Sequence, residues 1–425
     1  MTRRRKRRAP YAAISAFAFN ALLAATAVLG ARVMEDSFGG DVYEYATTAE
    51  GVAATRIAMD RQFKQLTSPG VSRRESWAEH VGDQVDAGNL AAARGFLLAG
   101  LAMLEGDDAQ ALRAAIGKSK LRGDEAILDA APLFLTEDVR QKYDRATSPT
   151  AAAWRWAVDA ADVDDPTLDV FDPIALEAPL DLGAEEDVDF GLQVLGDQRD
   201  LTLVAGAWVR DDPIDTFAFT LSGLGQTLMD PGSRAGASVV ISARRAQRLN
   251  EALEIYLERE LNRAVPPQRL KRLLRERMRG AIGLSSRGEA VAEAFRASVD
   301  LEALAVLEGD LRRIRDIARA TSPESAIALL ENAQNGADLR RARLAALAGG
   351  DRAVALAIYD GAGVLNSAQA VVPWSNALRV RIAALAAAGV LLAWLALSVA
   401  WRSFNRLKTV RRSAVYAIEE TELNA

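Results

Sequence analysis

Residues 79–117 read EHVGDQVDAGNLAAARGFLLAGLAMLEGDDAQALRAAIG. Apolar and small residues recur there at spacings of three and four, the period of an α-helix and not of a strand. A helix, a glycine-marked turn, a helix rich in small residues, a turn at Glu105-Gly106-Asp107 and a third helix follow in order. Residues 328–363, ALLENAQNGADLRRARLAALAGGDRAVALAIYDGAG, repeat that order, with the turn at Gly349-Gly350-Asp351. Alanine, leucine, arginine and glutamate dominate the sequence around both stretches, and strand-like alternation is scarce. The expected fold class is mainly α.

Outward from these hairpins, helix starts are well marked. Thr-Ser-Pro occurs at Thr67-Ser68-Pro69, Thr147-Ser148-Pro149 and Thr321-Ser322-Pro323. A Ser cap followed by Pro satisfies one orphan amide and places the residue without an N–H where none is needed. Gly70 follows the first of these prolines, so that helix is expected to begin near Ser72. The small residues, the Gly-Asp turn and the downstream alanine of the two hairpins loosely resemble tetratricopeptide-type repeats. The Trp, Tyr and Pro marks of a full repeat are missing, and ~250 residues separate the copies, whereas solenoid repeats stack on their sequence neighbours. Two ordinary helical hairpins are the plainer reading.

Between the hairpins the composition changes. From Trp156 to Gln198 there are 13 acids and no Lys or Arg, with Pro166, Pro173 and Pro179 interrupting the run. It reads as an acidic connection. A central module follows: Gly196-Asp197-Gln198-Arg199-Asp200-Leu201, then turns at Asp211-Asp212-Pro213 and Asp230-Pro231-Gly232 around apolar helices. From Arg244 to Arg279 there are 11 basic and 5 acidic residues, on helices broken at Pro266-Pro267. The stretch 196–249 resembles uncharacterised two-helix bacterial envelope proteins, on the elements GDxRDL, DPID, Leu221-Ser222-Gly223-Leu224-Gly225, GxS and Ala-Arg-Arg. That resemblance carries no named activity. It implies a defined module. The run Phe217–Met229 is too short and polar to span a bilayer, so a packed hairpin is expected there.

Both ends carry apolar runs. Tyr11–Gly30 (YAAISAFAFNALLAATAVLG) follows Arg3, Arg4, Arg5, Lys6, Arg7 and Arg8, and Ile382–Trp401 (IAALAAAGVLLAWLALSVAW) precedes Arg402, Arg406, Lys408, Arg411 and Arg412. Neither run holds a charge, and ~20 apolar residues suit a ~30 Å hydrocarbon core. The basic flanks predict both termini in the cytoplasm and residues 31–381 in the periplasm of a bacterial inner membrane. A cleaved signal peptide ending near Ala25-Thr26-Ala27 is the alternative for the first run, which is longer than a usual apolar signal core. The expected division is a basic tail (1–10), a transmembrane helix (11–30), a helical-hairpin region (31–155), the acidic connection (156–198) and a central module with basic helices (199–290). A second hairpin region (291–378), a transmembrane helix (382–401) and a cytoplasmic tail (402–425) complete it.

Composition narrows the chemistry. The chain has 425 residues, a net charge of −5, no Cys and one His, His80. Thiol nucleophiles, disulfides and Cys/His zinc sites are excluded. His80, with Ser76 and Asp83 near it in sequence, lacks a nucleophile elbow and is expected on the surface. Glu75-Ser76 matches the catalytic pair of lytic transglycosylases without their downstream Gly-Leu-Met-Gln. Asp162-Val163-Asp164-Asp165 and Glu185-Glu186-Asp187-Val188-Asp189 offer oxygens but no calcium loop. Gly223-Leu224-Gly225 and Gly283-Leu284-Ser285-Ser286-Arg287-Gly288 match neither a phosphate loop nor a hydrolase elbow. No catalytic, cofactor or metal site is expected.

The expected function is an inner-membrane-anchored periplasmic scaffold for protein–protein contact. A polysaccharide co-polymerase-like regulator and a carboxylate-dependent envelope hydrolase are the alternatives. Membrane lipid and envelope proteins are the expected partners, nucleic acid is not, and a homo-oligomer is compatible with the pattern. Arg269, Arg272, Arg275 and Arg279 form the candidate interaction surface, with pairing to the acidic segment, within the chain or between subunits, preferred over anionic lipid headgroups.

Overall fold

A computed structural model of the chain describes residues 20–31, 47–66, 70–148, 196–370, 379–395 and 397–398. Contacts divide the chain into two units, Ala46–Ala370 and the pair Met1–Tyr45 with Val371–Ala425. All regular structure among the described residues is helical.

The larger unit opens with α1 (Ala49–Gln65), α2 (Arg73–Asp86), α3 (Leu90–Leu98), α4 (Gly100–Met103), α5 (Gly106–Ile116), α6 (Asp124–Ala130) and α7 (Glu137–Ala146). Ser72 starts α2 through a capping box: its hydroxyl accepts from the Glu75 N–H while Glu75 accepts from the Ser72 N–H. The central helices are α8 (Gln198–Val209), α9 (Thr216–Thr227), α10 (Pro231–Arg245), α11 (Glu251–Ala264), α12 (Pro267–Met278), α13 (Leu284–Ser298) and α14 (Leu301–Ala320). Asp197, Asp215, Asp230, Asn250 and Asp300 cap five of these seven through their side chains. The last group is α15 (Pro323–Leu330), α16 (Gly336–Gly349), α17 (Asp351–Asp360) and α18 (Gly363–Asn366).

The two look-alike stretches pack on each other. Helix α17 lies along α3, and α16 lies along α1. At the first crossing a Cβ on Gly95 would stand 2.1 Å from the Asp351 carbonyl oxygen, so the backbones meet with no side chain between them. At the second, a Cβ on Gly349 would stand 2.6 Å from the Met59 sulfur. The start and end of this unit are therefore neighbours: the Gln369 N–H donates to Thr55 Oγ1 at 3.0 Å, and Gln62 Nε2 donates to the Gly363 carbonyl at 3.0 Å.

Trp77, Phe63 and Phe96 anchor the core beneath this junction. The Trp77 indole N–H donates to the Phe96 carbonyl at 2.8 Å, so its one polar group is satisfied where no water reaches. Burying each such side chain stabilises the fold by about 1.5–3 kcal/mol.

The terminal runs require a correction. In the smaller unit the described helices cover 20–31 and 379–395, and Gly30 faces the Leu385 side chain. In the second, Arg379 and Arg381 lie within the described helical residues. Among the described residues no helix is long and apolar enough to cross a membrane. The expected transmembrane helices at 11–30 and 382–401 are thus not supported. With them fall the inner-membrane location, the periplasmic placement of 31–381 and the anchored envelope scaffold. The co-polymerase-like and envelope-hydrolase alternatives shared that placement and fall with it. Residues 11–19, 396 and 399–401 of the two runs lie outside the described residues, as do the flanking Arg3, Arg4, Arg5, Lys6, Arg7, Arg8, Arg402, Arg406, Lys408, Arg411 and Arg412.

Candidate functional site

The quoted central pattern turns out to be a set of caps and close approaches. Gly196 sits at φ 76°, a conformation that side chains disfavour, and Asp197 then caps α8 by accepting from the Asp200 N–H at 2.8 Å. Asp215 of the Asp-Pro-Ile-Asp element caps α9. Its carboxylate also takes Arg244 of the Ala-Arg-Arg element, whose Nε donates to Glu254 at 2.6 Å. Gly223 is filled by the Phe295 ring, and Gly236 of the G-x-S element meets the α14 backbone. This module is therefore built by residue choices that let α9, α10, α13 and α14 approach closely.

Two cavities flank α9. One of about 410 Å³, at its N-terminal end, is lined by Asp215, Arg244, Arg245 and Glu254. Its charges are already engaged by the Asp215–Arg244–Glu254 bridge. The other, of about 680 Å³, lies at the C-terminal end, between the start of α8 and one face of α13.

The basic helix α12 packs Leu270 and Leu274 inward. Its predicted arginines divide into two groups. Arg269 donates to the Ala297 carbonyl at 2.7 Å, and Arg275 reaches Asp211 at 2.7 Å. Lys271 reaches the same Asp211 carboxylate at 2.7 Å and lies over the Trp208 ring, while Arg277 pairs with Glu293. Asp211 adopts a left-handed φ of 69°, a conformation more accessible to Asp than to most residues. Hydrogen bonds from Lys271 and the charge of Arg275 hold its carboxyl below the usual range. Arg272 and Arg279, by contrast, are exposed and have no partner among the described residues. After Arg279 the chain turns through Ile282, 92 % exposed, to Leu284, 49 % exposed. The acidic segment expected to pair with this helix lies outside the described residues, apart from Gly196, Asp197 and Gln198.

Other candidates resolve into structure. His80 is buried, which corrects the expectation of a surface position. It stacks on Phe96, meets Tyr359 edge-on, and its Nε2 lies 3.0 Å from the Leu66 carbonyl. Phe96 and Tyr359 are far from it in sequence, so no local signal marked the burial. Glu75 is the exposed half of the α2 capping box, with none of the desolvation a general acid needs. No group of three or more ligating side chains is placed to hold a metal among the described residues. The two calcium candidates lie outside them. Gly283 is the left-handed turn before α13. Thr147 and Thr321-Ser322, from two of the Thr-Ser-Pro elements, line one small cavity beside the Arg94–Asp351 ion pair.

Sequence reasoning missed the long-range polar pairs. Asp310 is 2 % exposed and accepts from Tyr256 and Arg313, each at 2.7 Å. The partly exposed Asp230 accepts from Arg312 and Ser233. It also missed the larger cavity. Its one local signal was Gly288, Ala292 and Arg296, spaced by four along α13 and so on one helical face. No protein-family model matches the chain, and no curated protein or solved structure matches it either.

Proposed function

We propose that the helical body is a binding module, not a catalyst, and that it docks an acidic protein segment along the outer edge of α12. The observation that carries this reading is the contrast among its basic residues. Arg269, Lys271, Arg275 and Arg277 are engaged by the chain's own groups, whereas Arg272 and Arg279 are exposed and unpaired among the described residues. Ile282, three residues beyond Arg279 and 92 % exposed, adds an apolar side chain at the end of this edge. Arginine beside an exposed apolar side chain suits a protein partner whose acids alternate with apolar residues. The charges steer encounter and set register, while the apolar contact supplies burial.

The test is fluorescence anisotropy with a labelled peptide in which Glu alternates with Leu and Phe, titrated with the full chain at several salt concentrations. The expected result is saturable binding that weakens with salt, falls about tenfold or more in Arg272→Glu/Arg279→Glu, and falls in Ile282→Ser. Unchanged binding in the double variant, or equal binding of single-stranded RNA, would overturn the reading.

A further inference from the structure

We infer that the larger cavity, at the C-terminal end of α9, is a binding site for a short zwitterionic peptide. The site is separate from the edge of α12 and does not depend on what docks there. Its volume of about 680 Å³ falls in the range of small-ligand pockets.

The frame is held in place by bonds that do not involve a ligand. Gln226 Nε2 donates to the Gly196 carbonyl at 2.8 Å, tying the end of α9 to the entry of α8. Arg234 Nε donates to the Gly225 carbonyl at 3.0 Å and fixes the third side. On α13 the lining is small, Gly288 and then Ala292, and ends in Arg296 one turn further on. A Cβ on Gly288 would stand 3.0 Å from Gln198 Nε2, so even one methyl would press on the opposite wall.

Two charged groups in this frame have no side-chain partner among the described residues. The Asp200 carboxylate and the Arg296 guanidinium both line the cavity. Neither has a hydrogen bond or ion pair through its side chain among the described residues, and they are not paired with each other. At two other places in this unit an acid and an arginine that share a surface meet directly, Arg94 with Asp351 and Arg248 with Glu331. A ligand with one charge would satisfy one of the two groups. A free peptide of two or three residues satisfies both, its ammonium at Asp200 and its carboxylate at Arg296. Each added residue extends the span by about 3.3–3.6 Å, so chain length sets how well both ends engage. The planar guanidinium favours a carboxylate over a rounder anion.

The experiment is calorimetric titration of the full chain with trialanine, N-acetyl-trialanine and trialanine amide. Trialanine is expected to bind saturably, and each capped peptide to bind about tenfold weaker or less. In Asp200→Asn the free and acetylated peptides should bind alike. In Arg296→Gln the free and amidated peptides should bind alike. Circular dichroism establishes that each variant is folded. Absence of saturation with trialanine up to about 10 mM, or capped peptides that match it on the unaltered chain, would overturn the inference. So would variants that keep the full preference for the free peptide.

Discussion

A Cβ placed on Gly236 would lie 1.9 Å from the carbonyl oxygen of Leu311. Real atoms do not approach so closely, and the obstacle is backbone, which cannot rotate away. Helices α10 and α14 therefore cross with their main chains in contact at this point. Gly236→Ala is expected to destabilise the body by about 1–3 kcal/mol or more, because the helices must separate and lose contacts on both sides. Urea unfolding of the variant, read by tryptophan fluorescence, checks this. Gly223→Ala should behave similarly, since its Cβ would enter the buried Phe295 ring at 2.0 Å.

Gly206 makes the opposite case. It lies inside α8, and an added Cβ would meet only the end of the Arg210 side chain at 3.6 Å. Replacing a helical glycine by alanine removes backbone freedom from the unfolded chain. Gly206→Ala should therefore stabilise by about 0.4–1 kcal/mol. A loss of stability in the same urea assay would show that the helix is more tightly packed there than the structure has it.

Much of the helical outline could be read from sequence because its signals are local. Asp230-Pro231-Gly232 marks the start of α10, Ser322-Pro323 the start of α15, and Pro266-Pro267 the break between α11 and α12. Each is a cap or a missing donor that acts within one turn. The terminal apolar runs were the strongest hydrophobic signal and misled. Hydropathy weighs composition along the chain, whereas among the described residues no helix is long and apolar enough to cross a membrane, and Arg379 and Arg381 are helical beside the second run. Partner choice was not legible at all. That α3 meets α17, or that Tyr256 meets Asp310, depends on surfaces brought together across the whole chain. Of the candidate arginines, Arg272 and Arg279 were separable from Arg269 and Arg275 only once their neighbours were in place.

Asp230 couples the cap of α10 to α14 and should make stability depend on pH. Burial pushes its carboxyl up, but hydrogen bonds from Arg312 and Ser233 outweigh that and leave it well below the ordinary 3.8. A carboxylate lowered in the folded state contributes its full stabilisation above the unfolded value and loses it as pH falls below about 3.8. Asp230→Asn keeps a competent cap but drops the charge facing Arg312. The variant is expected to be about 1 kcal/mol less stable near neutral pH, a discounted figure for a partly exposed pair. The gap should narrow steadily below about pH 4. Thermal denaturation of both proteins across that range is the measurement, and a constant gap would contradict the assignment.

Asp310 tests a buried pair. Its carboxylate is 2 % exposed and accepts from the Tyr256 hydroxyl and the Arg313 guanidinium. Burial and the facing Asp310 carboxylate push the Tyr256 hydroxyl far above its ordinary value, so it remains a donor throughout the accessible range. Tyr256→Phe leaves one buried oxygen without that donor, at a cost of about 1–3 kcal/mol. Tyr256→Phe combined with Asp310→Asn should cost less than the sum of the two single changes, because the pair is lost only once. A double-mutant cycle by urea denaturation gives the coupling directly.

The packing of α3 on α17 and of α1 on α16 implies that the unit can be assembled from two pieces. The described residues of 47–148 leave the Gly95 backbone and the Met59 side chain without their cover unless 336–360 is present. The junction is reinforced by the Arg94–Asp351 ion pair and by Arg56 Nε donating to the Ala348 carbonyl at 2.8 Å. Chain connection between the pieces changes only their effective concentration and none of these contacts. Fragments 46–148 and 196–370, produced together, should therefore copurify and unfold as one cooperative unit. Fragment 46–148 alone should be poorly folded, with its apolar face open to solvent. Gly95→Leu should abolish copurification, since a side chain there collides with the Asp351 backbone, whereas Gly88→Ala should leave association largely intact. Gly88 has nothing within 4 Å of its Cβ position, so any cost there arises from its left-handed φ of 77° and is confined to the turn. Fragments that fold separately and fail to associate would contradict this junction.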